Sequence, residues 1–308
     1  MGYFKYIPFD RFESLRGGRI RFTQPGAFND PFEMPAFKVA EAEAALRGLS
    51  GLAAQTGEIQ QGLTQGHIPD AAFVPPIYYF WGLVPSRQEK VAPSPQAIDK
   101  LKTIDQMFGI LSLSMTADNL LLWAHYAAEH RGLAVEIDPT DREFNRHTVR
   151  DQSALMSVTE QGSDFELSDR VTYSAVRPKI PETDEILFKH FFVKSPEWAY
   201  EKEYRIVRHL KSSLETKAVK PFPVHLYELP ASAIRKVIFG ARVPAAQRNA
   251  LIKDTVADPA FGHLTFAEAV LDPGQFKVAI RDLPAAPALA LGDGALLQAL
   301  PVMHLPRE

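Results

Sequence analysis

Polar and apolar residues alternate on either side of a short helical stretch at the start of the chain. Tyr3 to Tyr6 reads as a strand, and Phe9 to Leu15 as a helix of one to two turns stopped by Gly17-Gly18. Arg19 to Thr23 is a second strand with charged and apolar residues in alternation. Gly109–Ser114 and Leu133–Ile137 are short β-prone runs, and further strands are expected at Arg170–Ser174, Tyr204–His209, Val224–Glu228 and Lys236–Gly240. Asp118 to His130 has helical spacing, with Thr116 or Asp118 as the N-cap and Gly132 as the stop. A helix is also expected at Glu182–Val193, and an amphipathic turn at Pro230–Ile234.

The pattern changes between the second and third strands. Val39 to Leu63 is rich in Ala, Glu and Gln, His67 to Pro95 is dense in Pro and aromatics, and helical character resumes from Ala97 to Met107. We read a helical and loop insertion at about 39–107 within one α+β domain spanning 1–255. Residues 256–308 are expected as a C-terminal extension packed on that domain, rich in Ala, Leu and Pro beyond Asp272. The sheets are expected to be mixed and largely antiparallel, around a central cleft.

Composition narrows the chemistry more than the fold. The 308 residues contain no cysteine, which removes thiolate nucleophiles, disulfides and Cys-ligated metal, and fits a reducing compartment. A net charge of −3 gives no overall footprint for nucleic acid. The opening Met1-Gly2-Tyr3-Phe4-Lys5-Tyr6 lacks the basic start and apolar run of a signal peptide, and no apolar run approaches bilayer length, so a cytoplasmic protein away from membranes is expected.

Two constellations carry candidate chemistry. In an extended Tyr200-Glu201-Lys202-Glu203-Tyr204-Arg205, the side chains of Glu201, Glu203 and Arg205 share one side, where like-charge proximity raises one carboxylate pKa and Arg205 keeps the other ionised. The plain alternative is a solvated edge strand with a local ion pair. On the helix, Asn119, Trp123, Tyr126 and His130 fall on one stripe suited to stacking on a planar ring, with Leu120, Ala124 and Ala127 as the parallel core stripe. The competing reading is that Trp123 and Tyr126 simply complete the core. His125 and His130, five apart, cannot readily share a metal ion, and no metal is expected. Walker, dinucleotide-fingerprint, nucleophile-elbow and His-Glu-x-x-His motifs are all missing. In Phe28-Asn29-Asp30-Pro31-Phe32-Glu33, Pro31 holds Asp30 extended, so polar side chains project between two aromatics.

Taken with Phe4-Lys5-Tyr6, Asn119 to Tyr126, His130-Arg131-Gly132, Tyr200 to Ile206 and Ile238-Phe239-Gly240, that segment resembles domain-of-unknown-function family 2971, found mainly in bacteria, over about residues 3–245. Tyr204 stands where the resemblance leads one to expect Trp. The order of elements also looks like an ADP-ribosyltransferase-like fold. Such folds open with a strand bearing a basic residue, here Lys5, continue with a strand ending in Ser or Thr before an aromatic-bearing helix, here Ser114 to Tyr126, and finish with a Glu beside a strand.

That second likeness implies NAD as a substrate. Glu203 would stabilise the positive charge that develops as the nicotinamide–ribose bond breaks, and Glu201 would position or activate the acceptor. Lys5 and Arg205 would hold diphosphate, Trp123 or Tyr126 would stack on nicotinamide, and Asn29 and Asp30 would border the cleft. Tyr6, Ser114, Asn119 and His130 complete the expected ligand-binding set. The leading expectation is therefore a nucleotide-handling, NAD-consuming enzyme with a toxin or defence role, acting on a small nucleotide with a protein or nucleic-acid acceptor. A non-catalytic nucleotide- or protein-binding module and a metal-dependent hydrolase or nuclease are the alternatives. Glu203→Gln is expected to abolish turnover with the fold intact in an enzyme, and to spare a pure binder.

Overall fold

The computed structural model describes residues 2–30, 103–145, 166–176 and 188–284. The expected helix at Val39–Leu63, the loop at His67–Pro95 and the first part of the helix at Glu182–Val193 lie outside these residues. In chain order the first elements are β1 (Phe4–Ile7), a 3-10 turn at Phe9–Arg11 running into α1 (Phe12–Arg16), and β2 (Arg19–Phe22). Then come β3 (Phe108–Ser114), α2 (Leu120–Tyr126) and β4 (Leu133–Ile137). β5 (Glu166–Arg170), β6 (Thr172–Tyr173), β7 (Val193–Lys194), β8 (Glu203–His209), β9 (Glu215–Lys217) and β10 (Val224–Glu228) follow. The last described elements are β11 (Ile234–Phe239), α3 (Ala245–Val256), β12 (Thr265–Leu271) and β13 (Val278–Asp282).

Eight strands form one sheet in the order β13-β12-β11-β4-β1-β3-β8-β5. All neighbours in it are antiparallel except β11 and β12. A parallel pair needs a crossover too long for a hairpin, and α3 supplies it. The fold is mixed α+β with predominantly antiparallel sheets. β12 and β13 fall in the stretch that the sequence pattern sets apart as an extension, yet they complete the main sheet, and Phe266 stacks on Phe239 with ring centroids 6.3 Å apart. Their signal is weak because β12 fills its buried positions partly with Ala267 and Ala269, which have low strand propensity.

The sheet buries both faces. On one, Leu133, Val135, Ile137, Val237 and Phe239 join Phe12 and Leu15 of α1 and Ile252 of α3. On the other, the small residues Ala134, Ala267 and Ala269 share a cluster with Leu122, Trp123 and Ala127, leaving room for α2 to approach. Among the described residues, no helix is long and apolar enough to cross a membrane.

A second sheet, β2-β10-β9, meets the first where Thr23 and Ile110 exchange two backbone hydrogen bonds of 2.8 Å. β1 pairs with β3 only at Phe4 and Ser114. β3 is thus shared along one edge by two diverging partners, β1 at its end and Thr23 near its start. The Ser112 carbonyl between them accepts a hydrogen bond from Lys5 Nζ at 3.0 Å instead of from a strand N–H. This fork is where the site lies.

Candidate functional site

A cavity of about 370 Å3 occupies the fork. β1 contributes Lys5 and Tyr6, β2 Arg21, and β3 Ser112 and Ser114; Asn29, Tyr126, Lys194 and Glu201 come from separate segments, and Glu203 and Arg205 from the start of β8. Residues as far apart in the chain as Lys5 and Arg205 therefore meet at one opening.

The acidic pair is not on one continuous strand. Glu201 ends a 3-10 helix, Pro196–Glu201, and Lys202 adopts a left-handed conformation with φ of 45° before β8 begins at Glu203. Nor is β8 an edge strand, since it lies between β3 and β5, so the solvated-edge reading is overturned. Glu201, Glu203, Arg205 and Lys194 are all at most 6% exposed and form a charge-balanced cluster. Arg205 grips Glu203 with both fork nitrogens, Nε to Oε1 at 2.8 Å and Nη2 to Oε2 at 2.9 Å, and its Nη1 donates to the Phe191 carbonyl at 2.7 Å. Lys194 Nζ donates to Glu201 Oε2 at 2.7 Å, lies 3.4 Å from Glu203 Oε2, and sits 4.6 Å over the Trp198 ring.

These contacts drive the two carboxyls apart. Burial raises the pKa of Glu201, and Lys194 only partly offsets that rise. Burial acts in the same direction on Glu203, but the charges of Arg205 and Lys194 and hydrogen bonds from Arg205 and Ser112 outweigh it and hold the carboxyl well below the usual range. Glu203 is a fixed negative charge, and Glu201 the more readily protonated partner. Tyr126 Oη donates to Glu201 Oε1 at 2.8 Å and faces Asn29 Nδ2 at 3.5 Å, so the phenol spans the cavity from the helix to the acidic pair. Ser114 Oγ donates to the Glu201 carbonyl at 2.7 Å, fixing the backbone at the kink.

Lys5 and Arg21 differ from the cluster. Lys5 is partly exposed, within the cavity it lines, and burial pulls its pKa down to about 8; Arg21 adds to the fall, and Glu203 and Glu201 oppose it. Burial also lowers the pKa of Arg21. Neither side chain makes an ion pair with a carboxylate among the described residues.

Several expected ligand contacts are elsewhere. Trp123 is 0% exposed, donates its Nε1 proton to the Ala117 carbonyl at 2.8 Å and packs edge-on against Tyr6, so it belongs to the core and cannot stack on a ligand. His130 stacks on Trp123 at 6.4 Å, past the helix end, where Ala128, Glu129 and His130 all have positive φ. Asn119 is the N-cap of α2, in place of Thr116 or Asp118: its Oδ1 accepts from Leu121 and Leu122 N–H, and its Nδ2 donates to the Tyr200 carbonyl at 3.0 Å. Tyr6 borders the cavity, but its hydroxyl is engaged with the Thr116 carbonyl at 3.0 Å. Asp30 is buried and does not line the cavity; Pro31, Phe32 and Glu33 lie outside the described residues. Arg205 is committed to Glu203 and Phe191, which leaves it no free fork for diphosphate.

Lys194, Arg21 and Ser112 were not expected at the site, and Phe28, expected only as an aromatic flanking Asn29 and Asp30, has its ring 5.2 Å from the Arg205 guanidinium carbon. Of the three, Arg21 left a trace in the polar phase of the alternation along β2. Among the described residues, no three His, Asp or Glu side chains gather to hold a metal ion.

This is a mixed α+β protein with a small polar cavity between two sheets, walled by a buried Lys-Glu-Glu-Arg cluster. Residues 122–206, which carry most of α2 and the whole cluster, match the family described as "Protein of unknown function (DUF2971)". No curated protein and no solved structure matches the chain significantly.

Proposed function

We propose that the chain is a nucleotide-handling enzyme of ADP-ribosyltransferase-like type that takes NAD, or a related nicotinamide nucleotide, into this cavity. The observation that carries the reading is that Glu203, held ionised by Arg205 and Lys194, and Glu201, which accepts a hydrogen bond from Tyr126, line one ligand-sized space. Ligand sites commonly fall at roughly 300–1000 Å3, so about 370 Å3 suits a mononucleotide or one half of a dinucleotide. With nicotinamide as leaving group, the glycosidic electron pair departs with the ring, and Glu203 stabilises the cationic ribose without titrating near neutrality. Glu201 takes the proton from an attacking water or acceptor hydroxyl, and Tyr126 holds that carboxylate in place. A protein or nucleic-acid acceptor and a defence role belong to the same proposal.

One observation favours a binding module instead: both oxygens of Glu201 and both of Glu203 already accept from neighbours. Incubating the full chain with NAD and measuring nicotinamide release separates the two. The enzymatic reading predicts turnover that falls at least about 100-fold in Glu201→Gln. NAD-dependent thermal stabilisation without turnover leaves the binding module, and neither effect overturns both.

A further inference from the structure

Among the described residues, the charges lining the cavity do not cancel. Lys194 and Arg205 are matched by Glu201 and Glu203, and the positive charges of Lys5 and Arg21 are left over. The two come from different sheets, β1 and β2, and meet only because the fork brings their strands to the same opening. Lys5 Nζ has a neutral carbonyl as its hydrogen-bond partner, which leaves further donor capacity toward the cavity. Arg21 alternates with the buried Ile20 and Phe22, so its guanidinium lies on the open side of β2. Arg11, on the 3-10 turn after β1, adds like charge near it, and so would any protonation of His225 on β10.

We propose that Lys5 and Arg21 form a phosphate subsite, at which the ligand presents a phosphoryl or diphosphoryl group while its uncharged part extends toward Tyr126 and Glu201. The proposal deepens the nucleotide reading by assigning the anion to a pair that excludes Arg205. An exposed guanidinium and a half-buried ammonium, neither paired with a carboxylate among the described residues, favour a multiply charged oxyanion over chloride or a monocarboxylate, because each phosphate oxygen can take a charge-assisted hydrogen bond. The groups facing the pair set its pH dependence. Burial pulls the pKa of Lys5 down to about 8, Glu203 and Glu201 support its charge, and Arg21 opposes it. His225, its pKa lowered by burial and by Arg21, is neutral at that pH. Affinity therefore declines from pH 7 to pH 9.

The test titrates the full chain with inorganic phosphate and with pyrophosphate by calorimetry at constant ionic strength, alongside Arg21→Gln, Lys5→Met and Lys253→Gln. The last removes an exposed charge on α3 outside the cavity. Saturable binding that weakens about tenfold or more in Arg21→Gln and Lys5→Met, and not in Lys253→Gln, is the expected result. Tighter pyrophosphate than phosphate assigns a diphosphate, and equal affinities assign a single phosphoryl group. Melting curves show whether each variant is folded, and Arg21→Gln, which breaks no ion pair among the described residues, decides the matter if Lys5→Met is not. No saturable binding of either anion, or binding indifferent to Arg21→Gln, overturns the subsite. NAD turnover that resists both pyrophosphate and Arg21→Gln overturns it while sparing the enzyme. Anion binding without NAD turnover leaves the subsite standing and sinks the enzyme.

Discussion

Four buried charges, Glu203 and Arg205 on β8 with Glu201 and Lys194 against them, sit where a protein core would ordinarily hold apolar side chains. Removing one member of such a buried cluster leaves its partners charged and unsolvated, which costs about 3–5 kcal/mol. Glu203→Gln strips the bidentate partner from Arg205 and one of two carboxylates from Lys194. It is therefore expected to lower stability at pH 7 by about that amount, measured by urea unfolding, and so cannot serve as a fold-neutral test of catalysis. The pH dependence has a definite sign. A carboxyl held below its ordinary value of 4.5 stabilises the fold above that pH and loses the contribution as the pH falls toward its folded value, so the gap between wild type and Glu203→Gln narrows on acidification. Glu201 acts oppositely: its raised pKa means that stability drains as the pH rises from 4.5 through the folded value. A Glu203→Gln deficit that is flat with pH would contradict the charge assignment. The sequence showed that Glu201, Glu203 and Arg205 belong together but gave no sign of Lys194. A lone lysine on a two-residue strand has no periodicity, and only the tertiary fold delivers it to the pair.

Helix α2 shows how far local pattern carries and where it stops. Strand β10 and strand β4 were legible to the residue, because each is a short β-prone run, buried over consecutive residues, between Gly or Pro turns. For α2, the stripe from Asn119 to His130 assumed 100° per residue throughout, but the helix ends at Tyr126 and the next turn runs left-handed. The projection past Tyr126 fails for that reason. Leu120, placed on the core stripe, is 39% exposed, whereas Trp123 is wholly buried. The His130-Arg131-Gly132 and Ile238-Phe239-Gly240 segments are the joint that makes this end possible. Gly240 N–H donates to the Gly132 carbonyl at 2.9 Å, and Gly132 N–H to the Ala127 carbonyl at 2.7 Å. A Cβ on Gly132 would press into the Ile7 carbonyl oxygen and lie 2.9 Å from the Ala127 Cα, and backbone atoms cannot swing away as a side chain would. Gly132→Ala is thus expected to cost at least about 2 kcal/mol in denaturant melts, with the cavity charges untouched. Asn119→Ala, losing a cap and the link to Tyr200, should cost about 1–2 kcal/mol. A neutral Gly132→Ala would show that the crossing is looser than described.

For the whole molecule, the question is whether the far end of the sheet and the cavity end fold as one unit. β11 and β12 are paired over four residues, Phe266 joins the cluster that holds Phe12 and Ile20, and Ala267, Ala269 and Val278 join the one that holds Trp123. Both hydrophobic layers therefore continue from β1, beside the cavity, to the strands beyond residue 255. A chain ended after Leu264 would strip β11 of its parallel neighbour, expose Ile238 and Phe239, and offer an unpaired apolar edge to other chains. It is expected to aggregate, or to lose its cooperative transition in circular dichroism melts. Ala267→Asp asks the same in the full-length chain: position 267 is fully buried beneath α2, so an unpaired carboxylate there costs several kcal/mol or forces local opening. If the chain is one cooperative unit, the substitution lowers the single melting transition and weakens pyrophosphate binding only once the protein begins to unfold. If the far strands are an independent appendage, the melt splits in two, and the part that binds the anion keeps the wild-type midpoint. That outcome would return the boundary to about residue 255 and require Trp123 to hold α2 in place without the support of β12.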